Sequence, residues 1–142
     1  GRIATAKNVK YTSDYGGLDI GRINNLQGDG DYFTLKVGSV EGNVQVTADY
    51  GSIKIEELLQ NAGNVDINGD YSGIKIGYNT NYQFTFDVDL SYASFSGEDD
   101  LNITYQDKSS YSKVYKGFYG SEKAKNRVRI NSDYGGLKFY KR

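Results

Sequence analysis

The chain contains no cysteine, histidine, proline, methionine or tryptophan, and most of these absences remove a class of chemistry. Without cysteine there is no disulfide, no thiol nucleophile and no thiolate metal site. Without histidine, triads built on an imidazole base and His-ligated zinc or haem are excluded. No apolar run approaches the roughly 20 residues of a membrane-spanning helix. The formal charge is only −1, whereas nucleic-acid binders carry a marked basic excess, so nucleic acid is not an expected partner. The opening residues Gly1-Arg2-Ile3-Ala4-Thr5 lack the apolar core of a signal peptide, and there is no initiator methionine. The expectation is a processed product or a fragment. The lack of cysteine fits either a reducing cytosol or an exported bacterial protein without disulfides.

What is present is repetition. The 142 residues include 18 Gly and 14 Tyr, enough chain for one domain (residues 1–142) with a real core. Residues 9–20, 44–55, 65–76 and 128–139 align without gaps. Each reads as alternating apolar and polar residues, then Asp-Tyr with two Gly or Ser, then a second alternating run. Residues 86–97 are a weaker copy in which Ser91-Tyr92 replaces Asp-Tyr. Tyr50, Tyr71 and Tyr92 recur at one constant interval, and Tyr134 follows Tyr92 after two such intervals. Tyr15 precedes Tyr50 by a longer, irregular one. A period near 20 with strand-like units belongs to a stacked coil rather than a propeller blade.

Val44-Gln45-Val46 and Ile53-Lys54-Ile55 show the two-residue alternation of half-buried strands. The Asp-Tyr-Gly corner between them is expected to turn at its Gly, which accepts positive φ, with Asp bonding back to nearby amides. Helix is confined to single turns at residues 56–60 and 121–125. The fold class expected is all-β, a right-handed parallel β-helix or β-solenoid with coils of about 21 residues. A β-sandwich is the rival. Each coil buries four or five apolar side chains at roughly 1.5–3 kcal/mol. That falls short of ordering about 20 residues at about 1–2 kcal/mol each, so a coil is stable only when stacked on another. The missing proline fits strands hydrogen-bonded on both edges.

The run Val37-Gly38-Ser39-Val40-Glu41-Gly42-Asn43-Val44-Gln45-Val46, with the Asp-Tyr-Gly corners, resembles the bacterial "putative adhesin" family of exported right-handed β-helices, which includes auto-transporter adhesin head-like domains. Residues 128–140, preceded by Gly117-Phe118-Tyr119-Gly120, look like the closing coil of that family. The likeness weakens at residues 21–32 and 98–124. It implies export to the periplasm, outer-membrane surface or extracellular space, and an adhesive or structural role. It brings no catalytic motif.

The candidate ligand-binding residues are Tyr15, Tyr50, Tyr71 and Tyr134 at one coil position, and Lys54, Lys75 and Lys138 at an outward one where the first copy has Asp19. Exposed tyrosines could stack on sugar rings or pack against a partner; the plainer alternative is a structural corner ladder. The lysines offer a basic stripe to an acidic polymer, or simply keep an outer face soluble. Asp14, Asp49, Asp70 and Asp133 form a parallel acidic series, read as turn residues before calcium ligands or an acid/base pair. Gly28-Asp29-Gly30-Asp31 and Glu98-Asp99-Asp100 read as solvated turns. Residues 122–142 hold seven basic and two acidic side chains, a net +5 against −6 for the rest of the chain ahead of them. That excess suits either an anionic partner or a solubilising cap on the last coil.

No cofactor, metal or catalytic constellation is expected, and the chain is read as a non-enzymatic cell-envelope module. Its partners are then a glycan or a cell-surface protein. The alternatives are a filament subunit associating end to end with other copies, motivated by little chain ahead of Val9 to cover an open edge, and a β-helix polysaccharide lyase or hydrolase.

Overall fold

Alternation along the chain becomes strand almost everywhere. The computed structural model describes residues 2–141, except for the side chains of Arg2 and Glu98; Gly1 and Arg142, the limits of the expected domain, lie outside the described residues. The strands are β1 (Arg2–Ser13), β2 (Gly16–Asp31), β3 (Phe33–Val40), β4 (Val44–Leu58), β5 (Val65–Tyr78), β6 (Phe84–Ser91), β7 (Phe95–Ser96), β8 (Asn102–Lys108), β9 (Ser112–Tyr119), β10 (Arg127–Asp133) and β11 (Leu137–Lys141). A single 3-10 turn, Glu98–Asp100, is the only helix among the described residues. The protein is all-β, and its strands form one large mixed sheet that does not close on itself.

From β1 to β5, neighbouring strands pair in parallel and in register, each displaced along the sequence by 17 to 21 residues. Leu18 lies beside Leu35, Leu35 beside Ile53, and Ile53 beside Ile74. These steps are 17, 18 and 21 residues, the same that separate the bonded asparagines Asn8, Asn25, Asn43 and Asn64. The two shorter steps come first, which explains the irregular interval from Tyr15 to Tyr50. Gly28-Asp29-Gly30-Asp31, expected to be a solvated turn, instead ends β2, with Asp31 paired to Asp49. Gly28 is small because the Tyr11 ring fills its place: a Cβ there would meet that ring at 1.9 Å. Residues 56–58, expected in a helical turn, are the irregular end of β4.

Inward positions stack like upon like. Val44, Val65, Val128 and Phe86 form one buried column, and Val37, Ile55, Ile76 and Phe139 another. Asparagines bridge neighbouring strands: Asn25 Nδ2 donates to Asn8 Oδ1, and the backbone amides of Asn43, Asn64 and Arg127 donate to the side chains of Asn25, Asn43 and Asn64 at 2.8–2.9 Å. These bonds satisfy backbone groups where the chain passes between strands.

The strand order departs from the order of the chain. β5 and β6 are consecutive in sequence, yet β10 lies between them and pairs in parallel with both, while β11 pairs with β5 and β7. Residues 128–140, expected as the closing coil, are interior. The sheet ends instead in the antiparallel pair β8 and β9, laid against β6. The basic residues of β10 and β11 therefore do not lie on a terminal coil. Arg129 sits in register between Asp66 and Asp87, Arg127 bonds Asp87 at 3.2 Å, and Lys141 lies 3.5 Å from Asp100.

A tyrosine ridge and a lysine stripe

At each corner the chain must reverse its in-out phase, and tyrosine does this itself. Tyr32, Tyr50, Tyr71, Tyr92 and Tyr134 all have φ between 51° and 56°. This is left-handed backbone that bulky residues rarely adopt. The expectation that glycine takes the positive φ holds only in the first copy, at Gly16 (φ 129°). At Gly51 and Gly135 the following residue is small because the next strand is close, whereas Tyr32 is followed by the buried Phe33. A Cβ on Gly51 would lie 1.9 Å from the Phe33 carbonyl oxygen, and one on Gly135 2.0 Å from that of Ser72.

Side by side, these corners build a ridge of seven rings in the order Tyr15, Tyr32, Tyr50, Tyr71, Tyr134, Tyr92, Tyr111. Successive centroids are 5.3, 5.0, 4.9, 4.8, 4.8 and 5.4 Å apart. Planes in the middle differ by only 1–4°. Every ring is about half exposed, from 49% to 58%, except the terminal Tyr15 at 76%. Inner rings cover one another's faces, so a ligand lying along the ridge meets ring edges and phenol hydroxyls. Only Tyr15 and Tyr111 end the column with an outer face for a sugar to stack on.

Four residues beyond each corner lies the lysine stripe. Lys36, Lys54, Lys75 and Lys138 stand in adjacent register positions, bounded by Asp19 on one side and Ser96 on the other. All four are exposed, and none has an ion pair among the described residues. Parallel neighbours are about 4.8 Å apart, so four like charges stand in a row that is unfavourable by itself. Between ridge and stripe runs a floor of small residues, including Thr34, Ser52, Gly73, Gly136 and Ser94. Its open cleft of about 200 Å³ over Gly73, Gly136, Lys75 and Lys138 leaves room for a chain to lie flat.

On the other side of the ridge the aspartates run in parallel: Asp14, Asp31, Asp49, Asp70 and Asp133 each precede a ridge tyrosine. Burial raises the Asp49 carboxyl above its usual range. A hydrogen bond with Asp31 and the charges of Asp70 and Asp31 push the same way. Glu98-Asp99-Asp100 is the 3-10 turn. Among the described residues no group of three or more His, Cys, Asp or Glu gathers to hold a metal ion.

The structure thus joins all seven candidate residues into two neighbouring columns and adds Tyr32, Tyr92, Tyr111 and Lys36. Each addition had a signal in the sequence. Asp31-Tyr32 repeats the corner dipeptide, Ser110-Tyr111 repeats Ser91-Tyr92, and Leu35-Lys36-Val37 repeats Ile53-Lys54-Ile55.

No helix among the described residues is long and apolar enough to cross a membrane. No protein-family model matches the chain, and neither does any curated protein. Among solved structures it is similar to one from Clostridium sporogenes named a "putative cell adhesion protein", with 16% identity, a TM-score of 0.44, and coverage of 89% of this chain and 56% of the other. The chain thus spans little more than half the length of that structure, and a likeness at this level bears on neither its partners nor its activity.

Proposed function

We propose that this chain is a non-enzymatic, exported module of the cell envelope or cell surface, wound as a right-handed parallel β-helix with coils of about 21 residues. In this reading it holds an anionic glycan against the tyrosine ridge and lysine stripe. The winding is supported by in-register parallel neighbours from β2 to β5 at sequence steps of 17, 18 and 21 residues, the last matching the proposed coil length. Export rests on the family resemblance of the corner motif. The observation that carries the binding role is the unpaired row of Lys36, Lys54, Lys75 and Lys138 beside a continuous ridge of half-exposed rings. An acidic polymer relieves the repulsion within that row, while ring edges and hydroxyls contact its sugars. A glycan array probed with the intact protein is expected to show retention on acidic glycans, weakened when Tyr50 and Tyr71 become alanine. Retention that ignores both substitutions, or none on any acidic glycan, overturns the reading. Release of unsaturated product from acidic glycans, tested by absorbance, returns the lyase alternative.

A second reading, a filament subunit, is favoured by β1. Among the described strands it pairs only with β2, leaving its other edge open to another strand. Light scattering that grows with concentration supports that reading, and a uniform monomer removes it.

A further inference from the structure

The position of β10 and β11 has a consequence independent of any ligand. β5 and β6 follow one another in sequence but stand two strand positions apart, about 9.6 Å at the ordinary spacing. The last segment of the chain fills that slot. Until it arrives, two sheet edges and the apolar columns behind them are uncovered. Val128, Ile130, Leu137 and Phe139 then become 0–2% exposed as the segment seats.

The strand in the slot matches its neighbours in charge as well as in shape. Arg129 fits between Asp66 and Asp87, Arg127 reaches Asp87 at 3.2 Å, and Asn131 Nδ2 donates to Asn68 Oδ1 at 3.1 Å. Tyr134 completes the stack between Tyr71 and Tyr92, 4.8 Å from each. The open edge of β1 offers no such match. Lys10 is paired to Gln27, which is paired to Gln45 and so to Asp66, placing a cation beside the position an incoming Arg129 would take. The tether to the slot is Gly120-Ser121-Glu122-Lys123-Ala124-Lys125-Asn126, mostly polar. It has to cross from β9 over β6 to β10, again two strand positions. A tether of that length extends to roughly 24 Å, enough to reach the slot of its own chain or that of an adjoining copy.

We propose that the slot between β5 and β6 is a strand-acceptor site whose second occupant is the β10–β11 segment of another copy of this chain, giving reciprocally exchanged dimers. An exchanged segment makes the same hydrogen bonds, the same Asp66–Arg129–Asp87 alternation and the same tyrosine stack as the chain's own. Only the path of the tether differs between the two forms. Exchange of an identical element is a low-cost route to dimers, and shortening its hinge favours it.

The absence of cysteine makes the test specific. Full-length Asn68→Cys and Asn131→Cys chains, unfolded together at high concentration and refolded, are treated with a short bis-alkylating thiol reagent. These positions are adjacent only across the β5–β10 pair. The expected result is a covalent dimer joining one variant to the other, well above the yield from either variant alone. Removing residues 122–125 from both chains should raise that yield severalfold. The chain carrying both cysteines, refolded when dilute, should cross-link within itself, showing that the substitutions leave the slot intact. If the double variant cross-links internally while the mixture gives no joined dimer, even with the shortened tether, the proposal is wrong.

Discussion

A ridge tyrosine is held against its own backbone preference. Left-handed φ costs a bulky L-residue about 1–2 kcal/mol, while each stacked ring pair returns about 0.5–1.5 kcal/mol. Tyr71 has φ 53° and stacks on both Tyr50 and Tyr134. Replacing it by alanine keeps the strain and loses both stacks, a predicted loss of about 2 kcal/mol. Glycine loses the stacks but relieves the strain. Urea unfolding should therefore show Tyr71→Gly more stable than Tyr71→Ala by about 1 kcal/mol, the reverse of the usual order in a strand. Two buried phenols give a second comparison. Tyr82 donates to the Gly63 carbonyl at 2.7 Å, whereas the buried Tyr78 hydroxyl has no hydrogen-bond partner among the described residues. Tyr78→Phe should thus raise stability by about 1 kcal/mol and Tyr82→Phe lower it by a similar amount. Burial pushes both phenols upward, with Asp100 and Tyr119 adding to the effect at Tyr78. The unfolded chain then releases these protons first, near pH 10. Stability should fall as pH rises above that value, less steeply in the phenylalanine variants. Asp49 works at the other end of the scale. Its carboxyl is raised in the fold, so its ionised form opposes folding and protonation removes the penalty. Asp49→Asn should raise the urea midpoint at pH 7, and that gain should vanish below the ordinary carboxylate range.

Among the elements, β10 is the one whose place is least like its position in the chain. A C-terminal segment ordinarily frays, but β10 has a parallel partner on each side. Hydrogen exchange should find amides 128–132 protected like those of β5 and far more than those of β1, which has a single partner. Protection of β10 no better than that of β1 would contradict the pairing. What could be read from sequence follows the same division. Alternation is a local property, so Val44-Gln45-Val46 and Ile53-Lys54-Ile55 identified their strands and their faces unaided. The stacking order is not local. Because β4, β5 and β10 carry nearly the same motif, either β6 or β10 fits beside β5 by hydrophobic pattern alone. What distinguishes β10 is the register of Arg129 between Asp66 and Asp87 and the return of the chain from β9 across β6, neither visible in spacing. The β8–β9 pair went unread because its Ser109-Ser110-Tyr111 link lacks the Asn-Gly or Asp-Gly pair that marks a tight hairpin. The ridge was half legible. Its regular members share one period, while Tyr32 and Tyr111 fall outside it.

At the scale of the molecule, parallel in-register packing turns a repeated sequence into surface columns with different properties. Tyrosine edges form a ridge, unpaired lysines a basic stripe on one side, and aspartates an acidic column on the other. A net charge of −1 conceals that separation. The most direct measurement is a titration of an acidic polysaccharide such as a uronate polymer into the intact protein, repeated at rising salt. The chain carrying Lys54→Gln, Lys75→Gln and Lys138→Gln is compared with one carrying Lys123→Gln and Lys125→Gln, tether lysines outside the stripe. Binding should be lost by tenfold or more in the stripe variant, change little in the tether variant, and weaken as salt screens the row. Equal loss in the two variants, or affinity indifferent to salt, would contradict a ligand held on the ridge and stripe.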